Sequence, residues 1–206
     1  MNIVLLGGGG HCRSCIDAIR STGRQIAGVV DPGSIPMLAG VPRLGDDAWL
    51  DTVEARNFCY LVTVGQVTLS PVRRKLFALL RSKNLEIAAI AARTSIVSDE
   101  AILGAGTIVL HRAVVNAGAA IGENCIINTG AIVEHDARIG DHCHISTGAI
   151  VNGGAETGAG CVIGSGAVVL QGVRIAADVM IGAGAVVTRN IDATGTWVGV
   201  PARRRS

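Results

Sequence analysis

The sequence predicts a small α/β domain followed by a parallel β-helix. From Ile121 to Asp192 an aliphatic residue returns at every sixth position, with Thr157 as the exception. The pentapeptide from Thr129 to Val133 recurs in related form every 18 residues, so three hexads make one coil. No Phe, Trp or Tyr occurs between Leu85 and Thr196, whereas glycine is abundant. Hexapeptide repeats with these features stack into a parallel β-helix, whose coils bury their apolar edges only against one another.

Composition separates two domains near residue 90. Of the five aromatic residues, four precede residue 80, and only Trp197 follows the repeat. A narrow interior of stacked Ile, Val, Ala and Cys explains their absence between, and the 28 glycines supply tight corners. We therefore expect an α/β nucleotide-binding domain over 1–90, a β-helix over 91–192 and a C-terminal tail over 193–206.

Charge and cysteine usage limit the classes of partner. The net charge is +2 without a basic stripe, which predicts no nucleic-acid or anionic-membrane partner. The sequence has no uninterrupted apolar run of membrane-spanning length, and Met1-Asn2 leads directly into a strand. We expect a soluble cytoplasmic protein, and its six cysteines are then free thiols.

The first 31 residues follow a nucleotide-binding βαβ pattern. Residues 2–6 predict a buried strand, residues 12–22 a helix, and Ile26 to Val30 a second strand that ends at Asp31. The turn after the first strand comprises Gly7, Gly8, Gly9 and Gly10. Its fingerprint is incomplete because Cys12 stands where the third glycine belongs. About 90 residues are too few for a full dinucleotide fold, which favours a mononucleotide or nucleotide-sugar site.

Three further elements complete the predicted α/β domain. Asp46 is expected to cap a helix that runs to about Ala55, and Phe58 to Val64 predicts a buried strand. Ser70 and Pro71 are expected to start a helix as its N-cap and first residue, and this helix runs to about Ser82. Leu85 to Ile90 predicts the last strand.

The hexads are expected to begin at Ile96. Four hexads precede Ala120, which we interpret as a single extra residue before the twelve regular ones. Sixteen hexads make roughly five coils, above the three that such a stack needs. With strands about 4.8 Å apart, the prism is on the order of 25 Å long.

Two cysteine patterns allow a metal or redox site. Cys125, Cys143 and Cys161 are 18 residues apart and should stack, but they share the hexad position of several alanines, which favours small buried packing residues. Cys12 and Cys15 form a CxxC pair at a helix start, which allows a redox role. The position of Cys15 on the apolar helix face argues against this role.

Polar residues that interrupt the repeat concentrate between residues 128 and 144. His135 is followed by Asp136, and a histidine beside a carboxylate suits general-base catalysis because the acid fixes the tautomer and stabilises the cation. The 18-residue period places Gly153, followed by Gly154, one coil from His135. Bare backbone there could accommodate a thin ligand and donate N–H groups to an oxyanion. Alternatively, the two glycines only form a corner.

These motifs resemble a known family. The repeat, the segment Ile127-Asn-Thr-Gly-Ala-Ile-Val-Glu-His-Asp136 and the ending Gly199-Val-Pro-Ala-Arg203 are similar to the hexapeptide-repeat acyltransferases. More narrowly, they resemble the sialic acid O-acetyltransferase and bacillosamine-type nucleotide amino-sugar N-acetyltransferase group. The opening Gly7-Gly-Gly-Gly-His11 matches the glycine-rich turn of that group, so the likeness covers essentially the whole chain.

The resemblance implies a Rossmann-like domain, a left-handed β-helix and a homotrimer with acetyl-CoA bound between neighbouring prisms. It implies that His135 is the catalytic base, Asp136 the acid beside it and Asn128 an active-site asparagine. The residues it implies for the cofactor site are His144, Gly153, Gly154, Ala183 and Pro201. It assigns the acceptor nucleotide to Gly7, Gly8, Gly9, Gly10, His11 and Asp31. Pro32 replaces a second acid that relatives often carry, which leaves the base identity open.

The resemblance implies an N-acetyltransferase that acts on a nucleotide-linked amino sugar, without a metal. The sugar amine would attack the thioester, His135 would accept the proton, and N–H groups near Gly153 would stabilise the oxyanion. Three alternatives remain: a sialic acid O-acetyltransferase, a zinc enzyme of the γ-type carbonic anhydrase kind that uses His135, His142 and His144, and a non-catalytic ligand-binding scaffold.

Overall fold

The computed structural model describes residues 1–33, 37–69 and 71–205. The N-terminal domain is a six-stranded sheet in the order β3-β4-β2-β1-β5-β6, parallel except for the β3–β4 hairpin. Its elements are β1 (Ile3–Leu6), α1 (Gly10–Ser21), β2 (Ile26–Val30), β3 (Met37–Leu38), β4 (Val41–Gly45), β5 (Cys59–Val62), α2 (Val72–Ser82) and β6 (Glu86–Ile87). Two 3-10 helices, Asp47–Asp51 and Glu54–Asn57, precede β5. The predicted α/β class is confirmed.

The region from Asp46 to Ala55 differs from its prediction. Asp46 does cap a helix, since its carboxylate accepts the Ala48 N–H at 3.0 Å. The segment nevertheless forms two 3-10 helices instead of one α-helix. The chain is extended at Thr52, and β-branched and aspartate residues are weak helix formers. The β3–β4 hairpin was not predicted either. The predicted N-cap Ser70 lies outside the described residues.

The predicted last strand, Leu85 to Ile90, is two strands in two domains. Glu86–Ile87 pairs with β5 in the N-terminal sheet, whereas Ile90–Ala91 pairs with a strand of the repeat. The connection between the two strands is only Ala88 and Ala89, so no glycine or proline marks the junction. Periodicity therefore did not reveal the break.

The repeat forms a left-handed parallel β-helix with three faces. Its strands are β7 (Ile90–Ala91), β8 (Ile96–Val97), β9 (Ile102–Leu103), β10 (Ile108–Val109), β11 (Val114–Val115), β12 (Ala120–Ile121), β13 (Ile126–Ile127), β14 (Ile132–Val133), β15 (Arg138–Ile139), β16 (His144–Ile145), β17 (Ile150–Val151), β18 (Glu156–Thr157), β19 (Val162–Ile163), β20 (Val168–Val169), β21 (Arg174–Ile175), β22 (Val179–Ile181), β23 (Val186–Val187), β24 (Gly195–Val198) and β25 (Arg203–Arg204). Face 1 contains β7, β10, β13, β16, β19, β22, β24 and β25, face 2 runs from β8 to β23, and face 3 from β9 to β21. The segment predicted as a tail thus contributes β24 and β25 to face 1.

The hexads run through Ala120 without an extra residue. Ala120–Ile121 pairs with Ile102–Leu103 at the same 18-residue offset as the later coils. The interpretation of Ala120 as an insertion is wrong. In each early two-residue strand it assigned the core-facing position to the residue that points outward. Ile96 and Ile102 are 65% and 67% exposed, whereas their neighbours face the core. Both residues of these pairs are aliphatic, so the sequence does not distinguish the two phases.

Most corners of the prism contain one residue with left-handed backbone. From Gly106 to Gly184 these residues recur every six positions, mostly as glycine. The exceptions are Arg112, Asn124, Asp136, His142 and Asp178. Asp136 and His142 therefore occupy ordinary corner positions of the fold.

The stacked cysteines are packing residues of the prism interior. Cys125, Cys143 and Cys161 are fully buried, as predicted from their shared hexad position. The thiols donate to the carbonyls of Gly140, Gly158 and Ala176 on the following coil, at 3.1–3.2 Å. Burial is the main cause that raises the pKa of Cys143 to about 12, so this thiol stays protonated.

The N-terminal domain packs directly on the prism. The outward side chains of Ile90, Ile108 and Ile126 on face 1 are at most 2% exposed and share one core with α1. Helix α2 lies along the corner between faces 3 and 1, where Arg81 pairs with Glu123 and Arg74 with Asp178. In the described part of the chain, no helix has the length and apolar character that crossing a membrane requires.

Candidate active site

His135 and Asp136 lie at the corner between faces 2 and 3. His135 Nδ1 is 2.9 Å from Asp136 Oδ2, and the imidazole is 59% exposed. Because a carboxylate accepts but does not donate, it selects the tautomer with the proton on Nδ1. Nε2 then carries the free lone pair that a general base needs. The hydrogen bond that His135 donates to Asp136 is the main cause that raises the His135 pKa above its usual value.

Gly153 lies against the His135 ring, as the 18-residue period predicts. A Cβ at Gly153 would come within 2.6 Å of Nε2 and 2.8 Å of Cε1. The next residue is tied to the same corner, since the Gly154 N–H donates to the His135 carbonyl at 2.9 Å. Within the described residues, the Gly153 N–H has no hydrogen-bond acceptor. Because Gly153 has no side chain, its backbone N–H stays accessible beside His135 Nε2, the atom that would accept a proton.

Asn128 and His144 form a second, directly bonded pair. The Thr129 N–H donates to Asn128 Oδ1 at 2.8 Å, which orients the amide so that Nδ2 donates to His144 Nε2 at 2.9 Å. His144 Nδ1 in turn donates to the Gln66 carbonyl at 2.5 Å. The two contacts fix the neutral tautomer of His144, which is 5% exposed. Burial, first among its causes, lowers the His144 pKa.

A single chain does not bring the two pairs together. Asn128 follows face 1 and His135 follows face 2, so face 2 separates them. His144 lies on the outer side of face 1, next to the N-terminal domain. The sequence placed these residues within one short segment, but the prism turns a corner between them.

The glycine turn and Asp31 contact each other at the carboxyl ends of β1 and β2. The Gly8 N–H donates to Asp31 Oδ2 at 2.6 Å, and the Gly33 N–H donates to Oδ1 at 2.7 Å. Gly7 has a φ of +99°, and a Cβ there would meet Val64 Cγ2 at 2.4 Å. Gly9 is the N-cap of α1, and Gly10 is its first residue.

A cavity of about 290 Å³ opens beside this turn. Its walls come from the ends of β1 and β2, the 3-10 region and α2, and are mostly apolar. The lining residues are Leu6, Gly7, Val30, Asp31, Pro32, Asp47, Val64, Val72 and Leu76. Open α/β sheets bind ligands at the carboxyl ends of their strands, so this position favours a ligand site.

His11 lies in α1 immediately after the glycine turn. Its ring packs on Gly65, where an added Cβ would come within 3.3 Å of the His11 Cβ. Burial, together with the positive charge of Arg73, lowers the His11 pKa to about 3, so the imidazole is neutral at physiological pH. Its Nε2 is buried without a hydrogen-bond partner in the described residues. A buried polar atom without a partner is costly and suits a ligand contact.

The other predicted cofactor residues lie towards the C-terminal end of the prism. Ala183 is exposed at the same corner as Asn128, three coils further along. Pro201 is exposed between β24 and β25 and follows a cis peptide bond. Contact of either residue with a cofactor stays a prediction.

A groove of about 600 Å³ follows face 3 and carries a charged ladder. Arg138 pairs in register with Glu156, which pairs with Arg174. Although larger than the cavity near the glycine turn, it includes neither His135 nor Asp136. We assign it no role in the chemistry.

The buried thiols of the CxxC pair do not favour a redox role. Cys12 and Cys15 are fully buried, and burial raises the Cys12 pKa to about 11. A redox-active cysteine requires the opposite shift, towards the thiolate. Among the residues that the structure describes, no group of three or more His, Cys, Asp or Glu is placed to hold a metal ion.

Sequence reasoning missed three polar residues at the domain junction: Gln66, Arg73 and Asn124. All are at most 3% exposed. A signal existed for Arg73, because Arg73, Phe77 and Leu80 are the buried residues of α2 and follow helical spacing. No local pattern marks Gln66, whose contacts are with the distant His142 and His144.

Comparison with known proteins agrees with both halves of the structure. The model of the PglD N-terminal domain matches residues 2–80, and the bacterial transferase hexapeptide (six repeats) model matches residues 118–153 and 154–189. The structure of PerB from Caulobacter crescentus, in complex with CoA and GDP-perosamine, is 34% identical with a TM-score of 0.93. The match covers 100% of this chain and 98% of that one. The chain belongs to the hexapeptide-repeat nucleotide amino-sugar N-acetyltransferases.

Other members of the structural neighbourhood extend this result. This acetyltransferase is 28% identical to the acetyltransferase domain of PglB from Neisseria gonorrhoeae in complex with acetyl coenzyme A, with a TM-score of 0.92 over 99% of this chain and 98% of that one. WeeI from Acinetobacter baumannii, at 22% identity and a TM-score of 0.69 over the full length of both chains, shares the fold. Comparison with curated protein sequences gives no match.

Proposed function

We propose that this protein transfers the acetyl group of acetyl-CoA to the amino group of a sugar carried on a nucleoside diphosphate. The observation that carries the proposal is the His135–Asp136 pair over Gly153, in a chain 34% identical along its whole length to a protein that binds CoA and GDP-perosamine. Acyl transfer to an amine needs a general base, here His135, and a carboxylate on the other ring nitrogen, here Asp136. It also needs an accessible backbone N–H that can donate to the oxyanion, here that of Gly153.

The transfer is a direct attack. The neutral sugar amine adds to the thioester carbonyl, while His135 Nε2 accepts the amine proton and Asp136 stabilises the imidazolium. The Gly153 N–H donates to the oxyanion of the tetrahedral intermediate. When the C–S bond breaks, the imidazolium returns its proton to the CoA thiolate, so the products are the acetamido sugar and free CoA.

We propose a homotrimer in which two neighbouring copies build each site. The outward side chains of face 2 are half-buried aliphatic residues in the single chain, and a contiguous apolar stripe of this kind favours a protein interface. These residues are Val114, Ile132, Ile150, Val168 and Val186. Packing of face 2 against a neighbour would let Asn128 and His144 of one copy approach His135 of another.

We propose that the acceptor nucleotide binds in the cavity beside the glycine turn. The N-terminus of α1 favours the diphosphate, and Asp31 in the cavity wall would contact the nucleoside. His11 Nε2 would gain a partner on the sugar or phosphate. GDP is the first nucleotide to test, since PerB was crystallised with GDP-perosamine.

A thermal-shift panel tests the proposal. UDP, dTDP, GDP, CDP and CMP are each added with and without acetyl-CoA, since a ligand of the native state raises the apparent stability. We expect acetyl-CoA and one nucleoside diphosphate to stabilise the protein. Stabilisation by CMP alone would favour the sialic acid O-acetyltransferase alternative. No response to acetyl-CoA or any nucleotide would favour the non-catalytic scaffold.

A further inference from the structure

Arg73 of α2 is a buried cation without an acid partner. Its side chain is 1% exposed, and none of the described carboxylates forms an ion pair with it. The guanidinium donates to three backbone carbonyls: Val62 at 2.6 Å, Val64 at 2.9 Å and Asn124 at 3.1 Å. Burying a charge without a counter-ion is costly, so stability alone does not explain an arginine at this position.

One of these carbonyls, that of Val64, belongs to the wall of the cavity beside the glycine turn. Val62 is the last residue of β5, and Val64 lines the cavity. The Val64 side chain also covers Gly7, where an added Cβ would collide with it at 2.4 Å. The guanidinium therefore fixes the position of residues 62–64 relative to the glycine turn.

The same segment continues into the prism. The Gln66 carbonyl accepts a hydrogen bond from His144 Nδ1, and the Gln66 side chain donates to the His142 carbonyl at 2.9 Å. The third acceptor of Arg73, the Asn124 carbonyl, belongs to the prism coil that precedes His142. Arg73 thus joins the cavity wall to the coils that present His142 and His144.

The charge of Arg73 supports the same arrangement. It contributes, after burial, to lowering the pKa of His11 and of His144. Both imidazoles therefore stay neutral, and His144 Nε2 stays able to accept from Asn128. The charge of His144 is a further, smaller cause for His11.

We propose that Arg73 is a positioning residue for acetyl transfer. It holds residues 62–66 between the glycine turn and the prism, and so sets the distance between the bound nucleotide sugar and the His144 end of the site. This proposal rests on the proposed function. Arg73 touches no reacting atom, so its effect is on the placement of the acceptor and not on the base.

Steady-state kinetics of Arg73→Lys and Arg73→Met, with Arg81→Met as the control, test the proposal. Lysine keeps the charge, but one ammonium cannot reproduce the planar fork that reaches three carbonyls. We expect kcat/KM for the nucleotide sugar to fall about 10- to 100-fold, since a displacement near 1 Å can have such an effect. KM for acetyl-CoA should stay within about 2-fold. Arg81→Met, which loses an exposed ion pair with Glu123 and a cation–π contact with Phe77, should behave as wild type in catalysis.

Each outcome has a separate meaning. Circular dichroism at the assay temperature establishes that the variants are folded, and Arg73→Lys carries the test alone where Arg73→Met does not fold. A folded lysine variant with lower melting temperature but wild-type kcat/KM would show that Arg73 only stabilises the fold, which overturns the proposal. A wild-type enzyme that transfers no acetyl group would instead overturn the proposed function.

Discussion

At the scale of single residues, the proposed chemistry depends on two histidines in opposite environments. His135 is exposed, and its Nδ1 is occupied by a carboxylate, which leaves Nε2 as a base. His144 is buried, and its tautomer is fixed by Gln66 and Asn128. The sequence predicts the first environment because Asp136 is adjacent. It does not predict the second, because Gln66 is 78 residues away.

The first prediction concerns the acidic limb of the pH profile. A general base must be unprotonated, so kcat/KM should rise with pH through the His135 pKa, which Asp136 holds above its usual value. Asp136→Asn removes the carboxylate that favours the imidazolium, so this limb should move to lower pH while maximal turnover falls.

Measurement of kcat/KM from pH 5 to 9 for both proteins checks this direction, and Glu134→Gln serves as a neighbouring control. The Glu134 carboxylate accepts from Asn116 at 2.8 Å, and its charge is the smallest of the causes that raise the His135 pKa, so Glu134→Gln should move the limb less than Asp136→Asn does. A profile that does not move in Asp136→Asn would contradict the assigned role of the acid.

At the scale of elements, the period of the repeat determined the prism but not all of its details. The 18-residue register correctly placed Gly153 under His135 and stacked the three cysteines. It failed before Ile121, where both residues of each strand pair are aliphatic and only burial separates inward from outward. It also could not divide Leu85 to Ile90, since Ala88 and Ala89, which connect the two strands, carry no turn signal.

The second prediction concerns close contact between coils. Gly158 lies against the next coil, and a Cβ there would come within 2.5 Å of the Ala177 backbone nitrogen. Backbone in a stacked coil cannot move aside, so Gly158→Ala should destabilise the protein by about 1–3 kcal/mol through overpacking.

Gly148→Asn is the matched control for this comparison. Gly148 has a φ of +66° with open space around its Cβ position, and Asn124 already adopts this backbone at an equivalent corner. Denaturant unfolding at fixed protein concentration should therefore show a smaller loss for Gly148→Asn than for Gly158→Ala. The reverse order would contradict the steric explanation.

At the scale of the whole molecule, the chain separates the residues that its sequence groups together. Asn128 and His135 are seven positions apart, yet they lie at different corners of the prism. The N-terminal domain docks on face 1 through Ile108 and Ile126, which places the proposed acceptor cavity on the side of His144. A hexad pattern alone does not show which outer face another domain covers, so the sequence left this arrangement open.

The third prediction is that a charged residue in the apolar stripe on face 2 abolishes both trimer formation and acetyl transfer. Ile150 is outward, half-buried and central in this stripe. A buried, unpaired carboxylate is costly, so Ile150→Glu should convert the proposed trimer to monomers and eliminate acetyl transfer. Arg174→Glu on face 3 is the control and should stay trimeric. Light scattering after size exclusion decides the outcome, and an active monomer of Ile150→Glu would contradict the shared site.

The most direct test of the central claim is acetyl transfer itself, followed by release of the CoA thiol and by mass spectrometry of the sugar product. Wild-type protein, acetyl-CoA and a GDP-linked 4-amino sugar should give one acetyl group per sugar. His135→Ala, folded and still able to bind acetyl-CoA, should be slower by about 10² to 10⁴-fold, the usual contribution of a general base. An alanine variant as fast as wild type, or a wild-type protein that acetylates no nucleotide-linked amino sugar, would contradict it.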